Sequence, residues 1–253
     1  MKIEELWQFP VKGLGGHKIA AATLAAGRHF PDDRRFAIST GDAKSAATAS
    51  GTWLQKAHFL QLLAHEDLAT FQCSYSMVNG VATLTLSHRD RTCLAINPAD
   101  PDQRAALEQI FADRLGARLA GWPRLLEMPT GAYSDQPTAL ISLASTASLA
   151  AFAAASGTRP DNRRFRINIV ISGVAAFQES ELIGRHIQCG DAILAVKKPV
   201  GRCAAINVDP DTARRGPDHL AMMRAHFGHS DLGIFAEITS GGQIKAGDKI
   251  TLL

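Results

Sequence analysis

Apolar residues in this chain come in short runs bounded by glycine, proline, asparagine and aspartate, and that punctuation constrains the fold more than any other feature. "KIEELWQFPV" stops at "KGLGG", while "RRFAIST" and "VATLTLSH" sit between turn residues. Near the C-terminus, "HIQCGDAILAVKKPV", "GIFAEIT" and "GQIKAGDKITLL" repeat the form, two of them with a Gly-Asp pair between apolar runs. Such pairs are hairpin signals. Short strands joined by tight turns predict a mainly β fold with a few helices (α+β), built from barrels rather than from one open parallel sheet.

Three segments read as helices. In "DPDQRAALEQIFADRLG" (100–116), Asp100 or Asp102 can cap, and Leu107, Ile110, Phe111 and Leu115 share a face. "STASLAAFAAASG" (145–157) has Ser145 as N-cap and Gly157 as its stop, and "PDHLAMMRAHFG" (217–228) opens on Pro217 and ends on Gly228. Their apolar stripes are core-facing. The Gly- and Pro-rich stretch 118–140 lacks any period and predicts a connection between two halves. We place the boundary near 125, giving units 1–125 and 126–253, which a chain of 253 residues can fill.

Several classes are disfavoured. No apolar run approaches the ~18 residues of a membrane span, and the acidic, amphipathic "MKIEELWQFP" is not a signal peptide. The net charge is +3 with both signs interspersed, and "DNRRFR" (161–166) is too short to argue for nucleic acid. A small positive balance suits an anionic small ligand. Cys73, Cys93, Cys189 and Cys203 are far apart and form no C-x-x-C, which argues against structural zinc and for free thiols in a cytoplasmic setting.

Cys203 follows a strand-like run in "AVKKPVGRC" and has Lys197, Lys198 and Arg202 close by. A free cysteine can be a small buried hydrophobe; a cationic setting instead favours the thiolate that binds metals and attacks electrophiles. Both readings stand on residues alone. Lys12 lies in the glycine-rich turn "PVKGLGG", where backbone N–H groups can approach an anion. Arg34 and Arg35 open a strand, so only one of them can face a shared site. Arg166 and Asn168, two apart in "RRFRINIVI", can share a face. Three basic segments at strand edges could meet on one polyanion.

In this order the segments resemble the MOSC superfamily, named for the C-terminal part of molybdenum cofactor sulfurases. "LWQFPVKGLGG … GRHFPDDRRFAIST" resembles its N-terminal β-barrel domain, with Y-P-[IV]-K-S and D-R-R-W patterns. "FRINIVISG … GRCAAINVDPDT … GQIKAGDKITLL" resembles the MOSC β-barrel domain itself. The two-domain form is similar to amidoxime-reducing components. The resemblance implies a molybdenum cofactor (molybdopterin) between the two domains and Cys203 as the protein ligand to the metal or, in the sulfurase branch, as a persulfide carrier. It implies pterin or phosphate contacts from Lys12, Arg34, Ser145, Arg166 and Asn168; Arg202, next to the cysteine, joins them as a cofactor-binding candidate. The chain departs from the family pattern at Gly13 (often serine), Ile167 (usually proline), "AAIN" before Val208 (often paired threonines) and Val200 (often a second cysteine).

The resemblance implies an oxidoreductase that reduces N-hydroxylated or other N- or S-oxygenated small molecules. The alternatives are a sulfur carrier using a Cys203 persulfide and a non-catalytic binder of the cofactor. The chain has neither a ferredoxin-type C-x₄-C-x₂-C run nor G-x-G-x-x-G after a strand. Reduction therefore calls for a separate electron-donor protein, and sulfur transfer for a separate pyridoxal-phosphate cysteine desulfurase. No nucleic-acid or membrane partner is expected.

Overall fold

A computed structural model describes residues 1–89 and 91–253. The described residues form fifteen strands and four α-helices. Eight strands make one sheet, in the order Ile250–Leu252, His186–Cys189, Ala192–Gly201, Asp231–Ser240, Ile141–Ser145, Ile169–Ser172, Lys2–Gln8 and His17–Ile19. Only Ile141–Ser145 and Ile169–Ser172 pair in parallel, and helix Thr146–Ser156 lies in the crossover between them. Parallel neighbours need such a crossover.

The sheet curls around Ile3, Leu6, Leu143, Ile187, Leu194 and Ile234, all fully buried. Its ends are drawn together: Lys2 bridges Lys249, and Ile3 N donates to Asp248 O at 2.9 Å. Among the described residues the ladder nevertheless does not close, so the expected barrel is a curled open sheet. One cause is visible at the second Gly-Asp pair. The first forms the expected hairpin, with Cys189 opposite Ala192. At Gly247–Asp248 the flanking strands part company: Gly242–Lys245 pairs with Ala21–Leu24, whereas Ile250–Leu252 joins His186–Cys189.

A second core surrounds the antiparallel sheet Phe71–Val78, Val81–His88 and Arg91–Ile96. Helix Pro101–Leu115 buries Leu107, Phe111 and Leu115 against it, and Asp100 is its cap, accepting from the N–H groups of Asp102 and Gln103. The stretch 118–140 is not all connection, because Leu125–Glu127 pairs with Phe36–Ile38. Helix His219–Phe227 starts after Asp218, which accepts from Leu220 N and Ala221 N, so the cap lies one residue beyond the expected Pro217.

Burial pushes the imidazoles of His17, His29, His65, His88 and His219 below the usual histidine range. The unfolded chain, titrating near ~6.5, then takes up more protons than the folded one as pH falls. Their contribution is complete above that pH and is lost below it. The thermal midpoint is expected to drop by several degrees between pH 7.5 and pH 5, as a calorimetric scan would show.

Candidate functional site

A cavity of about 330 Å³ is lined by Phe165, Ile167 and Ile206, members of a third buried cluster, and by Leu62, which packs against the second core. Lys12, Arg34, Arg166, Asn168, Arg202 and Cys203 all line it. These side chains come from positions up to 191 residues apart in sequence, from Lys12 to Cys203, and the fold brings them to one place.

Lys12 follows the first strand, its N–H held by Phe36 O at 2.8 Å. Gly13 then takes φ +84, and a Cβ there would sit 2.5 Å from Leu60 O. The glycine is thus required by close backbone approach, which accounts for the missing serine. The Lys12 side chain is 8 % exposed. Its Nζ donates to Tyr133 O (2.9 Å) and to Asp135 Oδ1 (2.6 Å), which uses two of its three protons. Burial pushes the Lys12 ammonium down, Asp135 opposes this, and Arg34 and Arg166 add to the depression. Burial raises the Asp135 carboxyl, but Lys12 outweighs it and holds the group below the usual range.

Arg34 and Arg166 both adopt left-handed backbone, at φ 49 and φ 57. For non-glycine residues this costs about 1 kcal/mol or more each, a strain that concentrates at functional sites. Arg34 Nη1 pairs with Asp33 Oδ2, and its Nη2 donates to Arg166 O at 3.1 Å. Both guanidinium groups lie on Phe9, with centroid distances of 5.1 and 4.7 Å. Arg35 turns the other way, to Glu127 and Asp32, so Arg34 is the member of the pair that faces the cavity.

Arg166 donates only to backbone, at Leu14 O and Val11 O. Arg202 likewise reaches Leu232 O and, at 2.9 Å, Phe165 O. Among the described residues no carboxylate bonds either one. Burial pushes both guanidinium groups down to about 9, with Arg34 adding to the effect in each case. Asn168 braces the floor: its Oδ1 accepts from Ser142 N (3.2 Å) and Ser142 Oγ (2.9 Å), and Ser142 Oγ in turn accepts from Asn168 N (3.0 Å).

Cys203 is exposed and extended, just past strand Ala192–Gly201 and capping the short turn Ala204–Asn207. Cys73 and Cys189 are buried, and burial pushes the Cys189 thiol up to about 12. Cys93 is exposed on the other sheet and donates to Leu86 O at 3.3 Å.

Ser145 is placed differently from the other expected residues. It is fully buried and does not line the cavity. Its hydroxyl accepts from Ser148 N and donates to the buried Glu179 at 3.0 Å. A helix N-cap was legible there; that its hydroxyl is already taken was not.

Arg164 also lines the cavity, although its sequence context "DNRRFR" reads only as a basic run. Its Nη1 donates to Ile206 O and Val208 O, its Nη2 to Asp209, and its buried Nε has no partner among the described residues. Asp33, Asp135 and Ser142 carry no motif that would have marked them.

The donor set fits an anionic group with phosphate and a soft metal. Cations outnumber the two lining carboxylates, Asp33 and Asp135, two guanidinium groups lack a carboxylate, one buried N–H is orphaned, and a thiol shares the cavity.

The MOSC domain model matches residues 130–251. No curated protein sequence matches the chain. Among solved structures the chain is similar to YiiM from Geobacillus stearothermophilus (18% identity, TM-score 0.37), over 45% of this chain and 53% of that one. It is also similar to the YuaD protein from Bacillus subtilis (15% identity, TM-score 0.46), over 98% of this chain and 93% of that one. The chain thus spans about half the length of YiiM.

Proposed function

Residues 130–251 are a MOSC domain, a family associated with molybdenum cofactor binding, and from that premise we propose that this protein reduces N-hydroxylated or other N- or S-oxygenated small molecules at a Cys203-ligated molybdenum. One observation carries the reading: an exposed thiol lines the same cavity as Lys12, Arg34, Arg166 and Arg202.

When bound, the cofactor supplies two-electron oxygen-atom chemistry. Cys203 Sγ is the residue that would ligate the metal. Lys12, Arg34 and Arg166 would pair with the pterin and its phosphate, and Arg202 would add charge beside the thiol. Asn168 and Ser142 brace each other at the cavity floor, beside the cations that would meet the anion. Electrons come from a separate redox protein.

Protein purified from a host that makes the cofactor is expected to contain molybdenum and pterin in near-equal amounts. It should reduce an amidoxime with an artificial electron donor. Protein that carries the cofactor and turns over no N- or S-oxygenated compound would refute the reductase reading.

A further inference from the structure

The motif "VDPDTARR" (208–215) contributes to the family resemblance but takes no part in the proposed chemistry, and it folds into a tightly bonded turn near the cavity. Asp209 Oδ1 accepts from Asp211 N (3.1 Å), Thr212 N (2.9 Å) and Thr212 Oγ1 (2.9 Å). Ala213 takes φ 57 and reverses the chain. Asp209 N then donates to Arg214 O at 2.9 Å, and Val208 bridges Arg215. The turn is also tied to the cavity wall, because Asp209 Oδ2 accepts from Arg164 Nη2 at 3.2 Å.

The outcome is the placement of one side chain. Arg215 emerges beside the loop that carries Cys203 and crosses to the other core. Its Nη2 lies 3.2 Å from Leu62 O, 3.1 Å from Leu63 O and 3.2 Å from Glu66 Oε2. Leu62 and Leu63 both line the cavity, and Leu63 is 40 % exposed, so this strap forms part of the rim. Leu62 further shares a small void of about 20 Å³ with Ala205 and Val208, which sets the strap directly against the thiol loop.

We propose that Arg215 is a positioning residue: the Asp209 turn presents it so that it seats Leu62 and Leu63 at the rim and sets how large a molecule reaches Cys203. The inference rests on the same cavity being the ligand site, but not on the reaction performed there. One planar nitrogen with two protons serves three acceptors. The hold is therefore modest and releasable, as an access device requires.

The test uses the full chain with Cys93→Ser, which leaves Cys203 as the exposed thiol among the described cysteines. Its alkylation is followed by mass spectrometry with iodoacetamide and with a bulky fluorescein maleimide. Arg215→Ala is expected to speed the bulky reagent by about fivefold and the small one by less than about twofold, the scale of one net hydrogen bond. Arg215→Lys should restore most of the difference, and Leu63→Ala should reproduce it without touching Arg215. Equal acceleration of both reagents, or of neither, overturns the proposal. Because the readout needs no molybdenum, it can fail or succeed independently of the reductase reading.

Discussion

Cys203→Ala is expected to cut amidoxime reduction by at least about a hundredfold in kcat while leaving the thermal midpoint almost unchanged. The stability half follows from exposure: the thiol is at the surface of a cavity, and although Cys203 precedes the turn Ala204–Asn207 its side chain makes no cap bond there, so the substitution should stay within about 0.5 kcal/mol. The activity half follows from ligand chemistry. Removing outer partners of a metal site already costs about 10- to 100-fold, and a direct soft ligand matters more. Cys203→Ser sharpens the test, since it keeps the volume and replaces a soft donor by a hard one. If Lys12, Arg34 and Arg166 hold the pterin as proposed, it should retain pterin and still lose turnover. The sulfur-carrier alternative is separated by intact mass: with a cysteine desulfurase and cysteine, a carrier gains one sulfur at Cys203. Wild-type protein that gains it and reduces nothing would put the carrier in place of the reductase. A Cys203→Ala variant with full turnover would remove the thiol from the mechanism altogether.

What could be read in advance was local. Asp100, Ser145 and the glycines after each helix are recognisable because caps depend on neighbours within four residues. The Cys189–Ala192 hairpin is legible for the same reason. The second Gly-Asp pair misleads because its partner strands are chosen by distant segments: Ala21–Leu24 takes one flank and His186–Cys189 the other. Pairing of Lys2–Gln8 with Ile169–Ser172 leaves no trace in either stretch. At the site, Lys12, Arg34, Arg166, Asn168, Arg202 and Cys203 could each be picked out by residue type beside a strand end, and the cavity gathers all of them. The choice between Arg34 and Arg35 could not be made, because it turns on a left-handed φ at Arg34 that alternation does not anticipate. Asp33 and Asp135 stayed invisible because a counterion is defined only by what folds against it.

On the proposed reading, Arg166→Gly is expected to weaken retention of the molybdenum cofactor by about 30-fold or more, the lower end of what losing one buried partner of a charge pair costs. Glycine is the informative replacement because Arg166 sits at φ 57. Arg166→Ala removes the same charge but keeps the strained backbone, so the glycine variant should be the more stable of the two by about 1 kcal/mol, read by urea unfolding. Their equal loss of pterin would assign the affinity to charge, and their unequal stability would assign the strain to the backbone. A second consequence concerns the protein without cofactor. Arg34 and Arg166 crowd the Phe9 ring with Asp33 paired to only one of them. Burial and that like charge hold the Arg166 guanidinium down to about 9, against the opposing pull of Asp33 and Asp135, and a bound anion would relieve that depression. Pyrophosphate should therefore raise the thermal midpoint of the cofactor-free wild type, and do so far less in Arg166→Gly, since a ligand stabilises only in proportion to its affinity for the native state. An equal rise in both proteins would mean that the anion binds elsewhere, and the cationic cavity would lose its claim to the pterin phosphate.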